Sequence, residues 1–410
     1  MTAKSLESQE PIRVGVLGLG RAFTLMLPTF LGERRVKLVA AYDPREQARD
    51  LFEKTFGGKA HSTAEDVCAD PLVEWVYIAT PHQLHAEHVE LAARYGKSAL
   101  VEKPMAISLE ECSRMIEACE GAKTELIVGH SHSFNAPVLL ARELIDSGEW
   151  GGVRLVHSMQ YTDFLYRPRR PEELDTTRGG GVVFSQAAHQ IDIVRLLAGG
   201  GTTQVRAVTG AWDKTRPTEG AFTALLNFAN GAFASVTYSG YGFYDTDTLM
   251  GGIGELGGIK SRTAHLETRR RLTSSQDELR EAELKAERNF GGRTFSMPEL
   301  KAPEAFQHFG PVVVSCERGD LRLTPYGVEV FDAFGARLVK PLSAQVPRSE
   351  VIDELWSVAK EGSHAIHDGP WSRATLEVCL AILESSRRSM DIMLKHQVGY
   401  FPPKTRHGRP

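Results

Sequence analysis

The chain has 410 residues, of which 42% are hydrophobic and 24% charged, values typical of a two-domain globular protein rather than a disordered or fibrous chain. Its 48 basic and 52 acidic residues give a formal net charge of -4, which is too balanced to predict binding to nucleic acid. Five scattered cysteines form no C-x-x-C pair, so neither a disulfide framework nor a structural metal site is expected.

The N-terminal stretch is not apolar enough for a signal peptide, and no run of about 18 apolar residues occurs in the sequence. We therefore expect neither secretion nor a membrane span. Scattered, unpaired cysteines are typical of reduced thiols, so we expect a cytoplasmic protein.

The first third of the sequence alternates short apolar, β-rich runs with helical stretches, which is typical of βαβ units on a parallel sheet. Ser108, with Glu111 three residues later, forms a capping box that predicts a helix start. Strands are predicted at residues 13–17, 36–42, 75–79, 98–102 and 126–129, and the clearest helices at residues 85–95 and 109–119. Residues 1–132 are therefore predicted to form a doubly wound α/β domain.

From residue 133 onwards, β-rich runs are separated by Gly, Asn or Pro turns, and one helix looks buried. Asn230-Gly231 predicts a hairpin, because both residues tolerate the positive φ of a type I′ turn. The predicted strands are residues 154–160, 205–210, 222–228 and 232–238, and the buried helix is residues 186–197. Residues 133–410 therefore predict an α+β domain with a mainly antiparallel sheet, used for substrate binding and oligomerisation.

Three further helices are predicted beyond the strands of this second domain. Residues 275–289 are charged and predict a solvated surface helix rather than a recognition helix. Two amphipathic helices lie within residues 349–386, and we expect them to pack back on the first domain.

A glycine-rich turn follows the first strand and precedes a helical stretch. Gly18 permits the tight turn, and Gly20 permits close approach of a pyrophosphate to free backbone amides and the helix dipole. Arg21, Ala22 and Phe23 complete the turn, with Phe23 at the third glycine position of a G-x-G-x-x-G motif. These five residues are predicted to bind a dinucleotide in a Rossmann fold.

The next strand ends at Asp43, 23 positions beyond Gly20, where a carboxylate can accept hydrogen bonds from a ribose diol. Asp43 would repel a 2′-phosphate, so NAD is favoured over NADP. Arg45 keeps NADP open as the second choice, because an arginine can accommodate that phosphate.

Several short motifs together carry a resemblance to a known family, although each alone is unspecific. They are Ala79-Thr80-Pro81 with His85 and Glu87 downstream, Glu102-Lys103-Pro104 at a strand end, and Gly179-Gly180-Gly181 followed by His189 and Asp192. Over nearly its whole length the chain resembles the glucose-fructose oxidoreductase and inositol dehydrogenase family, often called Gfo/Idh/MocA. The resemblance implies a Rossmann domain followed by a domain with an open sheet that often packs in homo-oligomers, here a dimer or tetramer.

The resemblance also implies that the nicotinamide ring lies near Lys103, with Thr80, Pro81, His85 and Glu102 around the cofactor. Physical chemistry supports a role for Lys103, because a cation beside the reacting oxygen stabilises a developing alkoxide. A lysine at the carboxyl end of a parallel strand also lies at the edge of the sheet where ligands bind.

His189 matches the catalytic histidine of the family, and an imidazole of ordinary pKa is suited to accept a substrate proton. Asp192, one helical turn later, either orients that imidazole or caps a neighbouring group. Ser185 stands where inositol dehydrogenase-like members carry an aspartate, and we include Asp192 and Ser185 among the substrate-binding candidates.

Other departures from the family pattern lie near the same site. His82 replaces a usual asparagine, and Ser133 replaces a usual arginine. His130 and His132 flank this altered segment and are candidates for substrate contact, with His130 preferred. Two spaced histidines without an acidic third ligand do not predict a metal site.

The segment from Tyr166 to Pro171 contains Arg167, Arg169 and Arg170. Arginine binds carboxylates through two parallel hydrogen bonds, and aromatic residues offer a flat surface for a ring. Tyr166 and the three arginines therefore predict a site for a cyclic carboxylate, and the alternative is a surface loop with solvated arginines.

Within the family, these features look most like the cis-4,5-dihydro-4,5-dihydroxyphthalate dehydrogenases of phthalate degradation. Such an enzyme oxidises a ring dihydrodiol to a catechol with NAD. The alternatives are a family oxidoreductase acting on a sugar or inositol, and a nicotinamide-binding regulator without catalysis.

Overall fold

The computed structural model describes residues 10–273, 278–302, 304–342 and 346–402. Its first sheet is fully parallel, in the strand order β3-β2-β1-β4-β5-β6. The strands are β1 Ile12–Leu17, β2 Val36–Tyr42, β3 Lys59–His61, β4 Trp75–Ile78, β5 Ser98–Val101 and β6 Leu126–Val128. The doubly wound α/β prediction is confirmed, and β3, with three residues, is too short for the sequence pattern to reveal.

The helices of this first unit cover both faces of the sheet, which explains why β4, β5 and β6 are almost continuously apolar. They are α1 Arg21–Gly32, α2 Glu46–Phe56, α3 Ala64–Ala69, α4 His85–Arg94 and α5 Leu109–Ala122. The Ser108 hydroxyl accepts the Glu111 amide at 3.2 Å, so α5 begins at the predicted cap. The strand order reverses between β1 and β4, and ligands of such sheets bind at the strand ends beside this switch point.

The second sheet has nine strands in the order β14-β13-β12-β11-β7-β10-β9-β8-β15, and only the β7–β10 pair is parallel. They are β7 Val153–Tyr161, β8 Thr202–Gly210, β9 Ala221–Phe228, β10 Phe233–Ser239, β11 Val312–Cys316, β12 Gly319–Thr324, β13 Gly327–Asp332, β14 Gly335–Val339 and β15 Ile392–Met393. The open, mainly antiparallel sheet is confirmed. The β9–β10 hairpin forms as expected, but of the two turn residues only Gly231 has positive φ, so a type I′ turn was the wrong expectation.

Helices cover one face of the second sheet. They are α6 Ala136–Asp146, α7 Ala188–Ala198 and α11 Gly369–Arg388. Helix α7 is buried on all sides, and Arg195 donates from its guanidinium to the Trp371 carbonyl of α11 at 2.9 Å. Helix α10 Ser349–Glu361 instead joins the core of the first unit, where Val351 and Leu355 belong to the same apolar cluster as Val16. No helix in the described ranges is long and apolar enough to cross a bilayer.

The segment between β10 and β11 lies against both units. It contains α8 Ala264–Thr273 and α9 Glu278–Ala286, while residues 275–277 of the predicted surface helix lie outside the described residues. Glu281 of α9 is buried in an ion pair with Arg216 at 2.8 Å. Phe290 is 0% exposed and its ring lies 5.2 Å from that of Phe23 in α1. The expectation of a solvated surface helix therefore holds for one face of α9, where Arg280 and Glu283 are exposed, and fails for the face that carries Glu281.

Candidate active site

The turn between β1 and α1 has the geometry of a phosphate-binding loop. Gly18 has φ of +92°, and a side chain there would place its Cβ 2.8 Å from the Ala79 carbonyl oxygen. A Cβ at Gly20 would meet nothing within 4 Å, and no side chain caps α1. The first amides of α1 therefore face open space that fits a pyrophosphate, the group that a nicotinamide dinucleotide would place there.

The three residues after Gly20 contribute unequally to this space. Arg21 is partly buried, and burial together with the nearby charges of Arg288 and Arg348 lowers its pKa to about 10. Ala22 lies at the helix start, where only its backbone is polar. Phe23 is fully buried in the core, so its side chain is not a cofactor contact and only its amide remains available.

Asp43 and Arg45 form a closed pair beside this loop. The Asp43 carboxylate is 4% exposed and accepts the Leu19 amide at 2.8 Å and the Arg45 Nε at 2.9 Å. The Arg45 guanidinium also donates to the Leu19 carbonyl at 2.8 Å. Because Asp43 and Leu19 occupy the guanidinium, it is not free to receive a 2′-phosphate, which favours NAD as the sequence predicted.

The loops after β4 and β5 meet through His85. Its Nδ1 lies 3.0 Å from the Pro104 carbonyl oxygen and its Nε2 lies 3.0 Å from that of Thr80. Burial lowers the pKa of His85 to about 4. His85 therefore connects the two loops at the sheet edge where ligands bind. We expected its ring to contact the cofactor, but both ring nitrogens face backbone carbonyls instead. Thr80 and Pro81 lie in the loop after β4. Glu102 is buried and accepts the Tyr77 hydroxyl at 2.7 Å.

Lys103 lies at the carboxyl end of β5 and reaches across to the second unit. Its Nζ donates to the Ser185 carbonyl oxygen at 3.0 Å. Burial lowers the pKa of Lys103, although the charges of Glu102 and Glu255 oppose the shift. Ser185 thus contributes its backbone carbonyl, rather than a side chain that replaces the family aspartate.

His189 lies one helical turn beyond Ser185 and is 6% exposed. The His132 backbone amide donates to its Nδ1 at 3.3 Å. Burial and the neighbouring Lys103 charge hold the pKa of His189 well below its ordinary value. A neutral His189 with Nδ1 as acceptor carries its proton on Nε2, so toward a substrate it is a donor. The predicted role of His189 as proton acceptor does not fit this tautomer.

Asp192 does not orient His189. Its carboxylate accepts the Trp371 indole N–H at 2.6 Å and the Thr375 hydroxyl at 3.0 Å, and the Ser133 hydroxyl also donates to it. Of the two sequence-based alternatives, the capping of neighbouring groups is therefore the observed one. Asp192 therefore links α7 to α11 through hydrogen bonds, and its oxygens are not free to bind substrate.

Sequence reasoning missed a carboxylate that reaches this centre. Glu255, from the segment after β10, accepts from His132 Nε2 at 3.3 Å and lies 3.9 Å from Arg167 Nη1. Burial opposes ionisation of Glu255, but the hydrogen bond from His132 and the charges of His132 and Arg167 lower its pKa. No spacing pattern in the sequence pairs Glu255 with His132, because 123 positions separate them.

His130 packs edge-to-face against His132, with the two ring centres 5.2 Å apart. It is buried, and its Nε2 has no partner among the described residues. Burial holds its pKa well below the ordinary value.

In the part of the chain that the structure describes, no three acidic, histidine or cysteine side chains are arranged to hold a metal ion.

Acidic side chains of the same chain largely neutralise the charges of the loop arginines Arg167, Arg169 and Arg170. Arg167 donates to Asp163 at 2.8 Å, and Arg170 lies 3.2 Å from Glu172. Arg169 stacks on Phe164 at 3.6 Å and pairs with Glu173 at 3.7 Å. All three guanidinium groups therefore have an acidic partner within the protein, and their role in binding a cyclic carboxylate stays a prediction.

Tyr166 is also occupied. Its hydroxyl donates to Asp213 at 2.6 Å, and its ring packs under the Arg269 guanidinium at 3.5 Å. Burial raises the pKa of Tyr166 to about 12. Of the loop residues, Arg167 comes closest to the histidine cluster, through Glu255.

Comparison with known proteins agrees with these features. Residues 12–130 match the model "Oxidoreductase family, NAD-binding Rossmann fold", and residues 138–260 match the "GFO/IDH/MocA C-terminal domain". The 1-carboxy-3-chloro-3,4-dihydroxycyclohexa-1,5-diene dehydrogenase of Comamonas testosteroni is 48% identical over 92% of this chain and 95% of its own length. An inositol 2-dehydrogenase of Rhizobium meliloti is 27% identical over 60% of this chain and 74% of its own length.

Among solved structures, this chain superposes with a TM-score of 0.88 on a protein of Bordetella bronchiseptica RB50 that is described only as a dehydrogenase. It is 40% identical, and the match covers 94% of this chain and all of the other. Two family models that together span more than half of the sequence, and relatives this similar over nearly all of it, assign the fold and the cofactor class. The chain belongs to the Gfo/Idh/MocA family of oxidoreductases, and its N-terminal unit is an NAD-binding Rossmann fold.

Proposed function

We propose that this oxidoreductase dehydrogenates a cyclohexadiene cis-diol that carries a ring carboxylate, with NAD as oxidant. The observation that carries the proposal is the pairing of Lys103 with the Ser185 carbonyl, which holds an amine of lowered pKa beside His189 at the carboxyl edge of the parallel sheet. Bound NAD would take the hydride from the carbinol carbon, and the chain itself has to manage the hydroxyl proton.

The two candidate catalytic residues divide that task. Lys103, as a neutral amine, accepts the hydroxyl proton, because burial lowers its pKa and the Ser185 carbonyl fixes its position. His189 donates from Nε2 to the same oxygen and stabilises the negative charge that develops there. The hydroxyketone that leaves can tautomerise to a catechol, and aromatisation makes the oxidation favourable.

The substrate class rests on the similarity to the Comamonas enzyme, whose name describes a chlorinated, carboxylated cyclohexadiene diol. That similarity extends over nearly the whole chain, whereas the inositol dehydrogenase matches a smaller part at lower identity. Within this class, cis-4,5-dihydro-4,5-dihydroxyphthalate is the specific substrate that we propose, and phthalate degradation the corresponding role.

A substrate panel tests the proposal. Purified protein with NAD or NADP is given the phthalate dihydrodiol, the chlorinated monocarboxylate diol, the unsubstituted benzene cis-dihydrodiol, and myo-inositol, and absorbance of the reduced nicotinamide is followed. We expect turnover of at least one carboxylated diol with NAD, and much slower turnover of the uncarboxylated diol. Turnover of inositol alone would replace the proposal by the sugar or inositol alternative, and tight NADH binding without any turnover would favour a regulator.

We also propose that the protein is a homo-oligomer, a dimer or tetramer, formed through the uncovered face of the second sheet. Val208 of β8, Leu225 of β9 and Phe233 of β10 are among the exposed apolar residues on that face. An open sheet with apolar residues on its uncovered face is stabilised when a second copy covers it.

A further inference from the structure

One buried arginine near the catalytic residues has no direct ion pair among the described residues, although Glu102, Glu255 and Glu350 are close enough to favour its charged form. Arg348, directly before α10, is 9% exposed and has φ of +58°. Its Nε donates to the Gln307 side chain at 3.0 Å. Neither terminal nitrogen of its guanidinium has a hydrogen-bond or ion-pair partner among the described residues. The two terminal nitrogens are therefore donors that an anionic ligand can occupy.

The charge of Arg348 acts on several groups of the candidate site. Its charge lowers the pKa of His130, His132 and His189, and that of Arg21 at the phosphate loop. Arg348 is therefore close enough to the histidine cluster and to the phosphate loop for its charge to act on both.

A cavity of about 50 Å³ opens beside Arg348, which is room for more than one water molecule. Leu256 and Phe306 give it an apolar wall, and Asn135 and Gln307 add side-chain amides. The Asn135 side chain also lies 2.9 Å from His132 Nδ1, so the cavity adjoins the histidine whose amide contacts His189. An apolar wall with a few convergent polar groups is typical of ligand sites, and this space has room for one carboxylate group.

We propose that Arg348 binds the ring carboxylate of the substrate through its two terminal nitrogens, with Gln307 fixing the guanidinium from the opposite side. This inference rests on the proposed function, since it assigns the residue that selects a carboxylated diol. It replaces the loop from Arg167 to Arg170, whose arginines are bound to Asp163, Glu172 and Glu173. Two parallel hydrogen bonds to a carboxylate provide both charge and orientation.

A pyrophosphate oxygen of the dinucleotide has the same chemistry as a carboxylate and is the other possible anion, because Arg21 is near. Two features favour the carboxylate over the pyrophosphate. The cavity has an apolar wall, and Asn135, which lines the cavity, contacts His132. Glu350 also lines the cavity, and burial raises its pKa to about 7. Binding is therefore best compared at about pH 6, where Glu350 is largely uncharged.

The test compares wild type with Arg348→Gln, Arg348→Lys and a control, Arg170→Gln, which removes a partly exposed loop arginine. Calorimetry in the presence of NADH gives the affinity for 4,5-dihydroxyphthalate and for catechol, which lacks both carboxylates. Fluorescence gives the affinity for NADH alone. We expect R348Q to weaken dihydroxyphthalate binding about 10- to 100-fold, the scale of hydrogen bonds to a charged group. Catechol and NADH binding should stay as in wild type, as should every affinity of R170Q.

Each result supports or overturns the assignment. Equal dihydroxyphthalate affinity of R348Q and wild type overturns it, and so does a loss confined to R170Q. A loss of NADH affinity, with the difference between dihydroxyphthalate and catechol intact, assigns Arg348 to the pyrophosphate instead. Melting temperatures show whether a variant is misfolded. If R348Q is misfolded, R348K replaces it in the comparison with wild type, because lysine keeps the charge but loses the planar fork. If wild type turns over no carboxylated diol, the proposed function fails. If wild type turns over carboxylated diols and R348Q prefers them to the same degree, only the assignment of Arg348 is refuted.

Discussion

At the scale of single residues, the tautomer of His189 and the burial of Lys103 together reverse an expectation. The sequence suggested that the imidazole accepts the substrate proton and that the ammonium stabilises the oxyanion. The backbone amide of His132 occupies His189 Nδ1, so Nε2 carries the proton and donates. Proton acceptance then falls to Lys103, whose pKa is lowered by burial.

This division of roles predicts the pH dependence of the reaction. Only the neutral amine accepts a proton, so kcat/KM for dehydrogenation should rise with pH and level off below the ordinary lysine value of 10.5. Lys103→Arg keeps a positive charge that cannot be removed near neutrality, and we expect it to lose at least about 100-fold in kcat. Initial rates between about pH 6 and pH 10 measure both effects.

Lys103→Met serves as the matched variant, because it removes the charge and the base together. If Lys103 acts as the base, the arginine and methionine variants should be similarly slow. An arginine variant with wild-type turnover would mean that the positive charge, rather than proton acceptance, is what the site needs.

At the scale of elements, the loop between β1 and α1 is held together by the Asp43–Arg45 pair, and this pair sets the cofactor preference. Asp43→Ala removes the carboxylate that repels a 2′-phosphate and releases the Arg45 guanidinium from its hydrogen bonds. We expect the ratio of kcat/KM for NADP to that for NAD to rise by about 10-fold or more. Steady-state kinetics with each cofactor measure this ratio.

The ratio is the informative quantity, because the loss of the Leu19 amide hydrogen bond lowers activity with both cofactors. A double variant, Asp43→Ala with Arg45→Ala, should lose the gain for NADP. An unchanged ratio in the single variant would show that Arg45 does not turn toward the ribose.

Helix α10 carries a carboxyl group that makes folding stability depend on pH. Burial raises the pKa of Glu350 from 4.5 to about 7, so the folded protein binds this proton more tightly than the unfolded chain. The stabilising effect is fully present below about pH 4.5 and is lost as pH rises through about 7. Glu350→Gln cannot titrate, and we expect its free energy of unfolding, relative to wild type, to be higher at about pH 8 than at about pH 5. The gain should be on the order of 1–3 kcal/mol.

Urea denaturation at the two pH values measures this difference, with Glu361→Gln at the other end of the same helix as the control. If the Glu350 variant differed from wild type equally at both pH values, the raised pKa would be refuted.

The sequence predicts elements well where a local pattern determines them. Five of the six strands of the parallel sheet, the Ser108 cap and the β9–β10 hairpin follow from periodicity and turn residues. The strands β11 to β14 and the contacts of Glu255 and Arg348 do not. Arg348 and His130 are 218 positions apart in the sequence, and only the packing of α10 into the first unit brings them together. The arginine loop misled for a different reason: its acidic partners Asp163, Glu172 and Glu173 lie within four positions of the arginines, but spacing alone does not show which charges pair.

At the scale of the whole molecule, the candidate site is a joint product of both units. Lys103 belongs to the parallel sheet, His189 to a helix under the second sheet, and Arg348 to a late segment that packs against the first. Residues 251–310 add Glu255 and Gln307 from a third direction. If the proposed roles hold, substrate selection depends largely on segments outside the Rossmann unit.

The uncovered face of the second sheet gives the last prediction. Val208, Leu225 and Phe233 are 68%, 55% and 49% exposed, respectively, on three adjacent strands, while their chain neighbours pack beneath α7 and α11. Replacing Leu225 by Glu places a charge at the centre of this face, and an interface between copies cannot bury an unpaired carboxylate without a large cost. We expect wild type to be a dimer or larger and Leu225→Glu to be a monomer, by light scattering coupled to size-exclusion chromatography.

A control on the same molecule is Leu72→Glu, an equally exposed leucine in the loop before β4 of the first unit. It should leave the oligomer intact, because it lies outside the second sheet. If L225E keeps the wild-type mass, then the sheet face is not the interface, and its apolar residues must be accounted for in another way. Because the sheet face lies on the opposite side of the strands from α7, which carries His189, we expect the monomeric variant to keep NADH affinity and to lose, at most, stability.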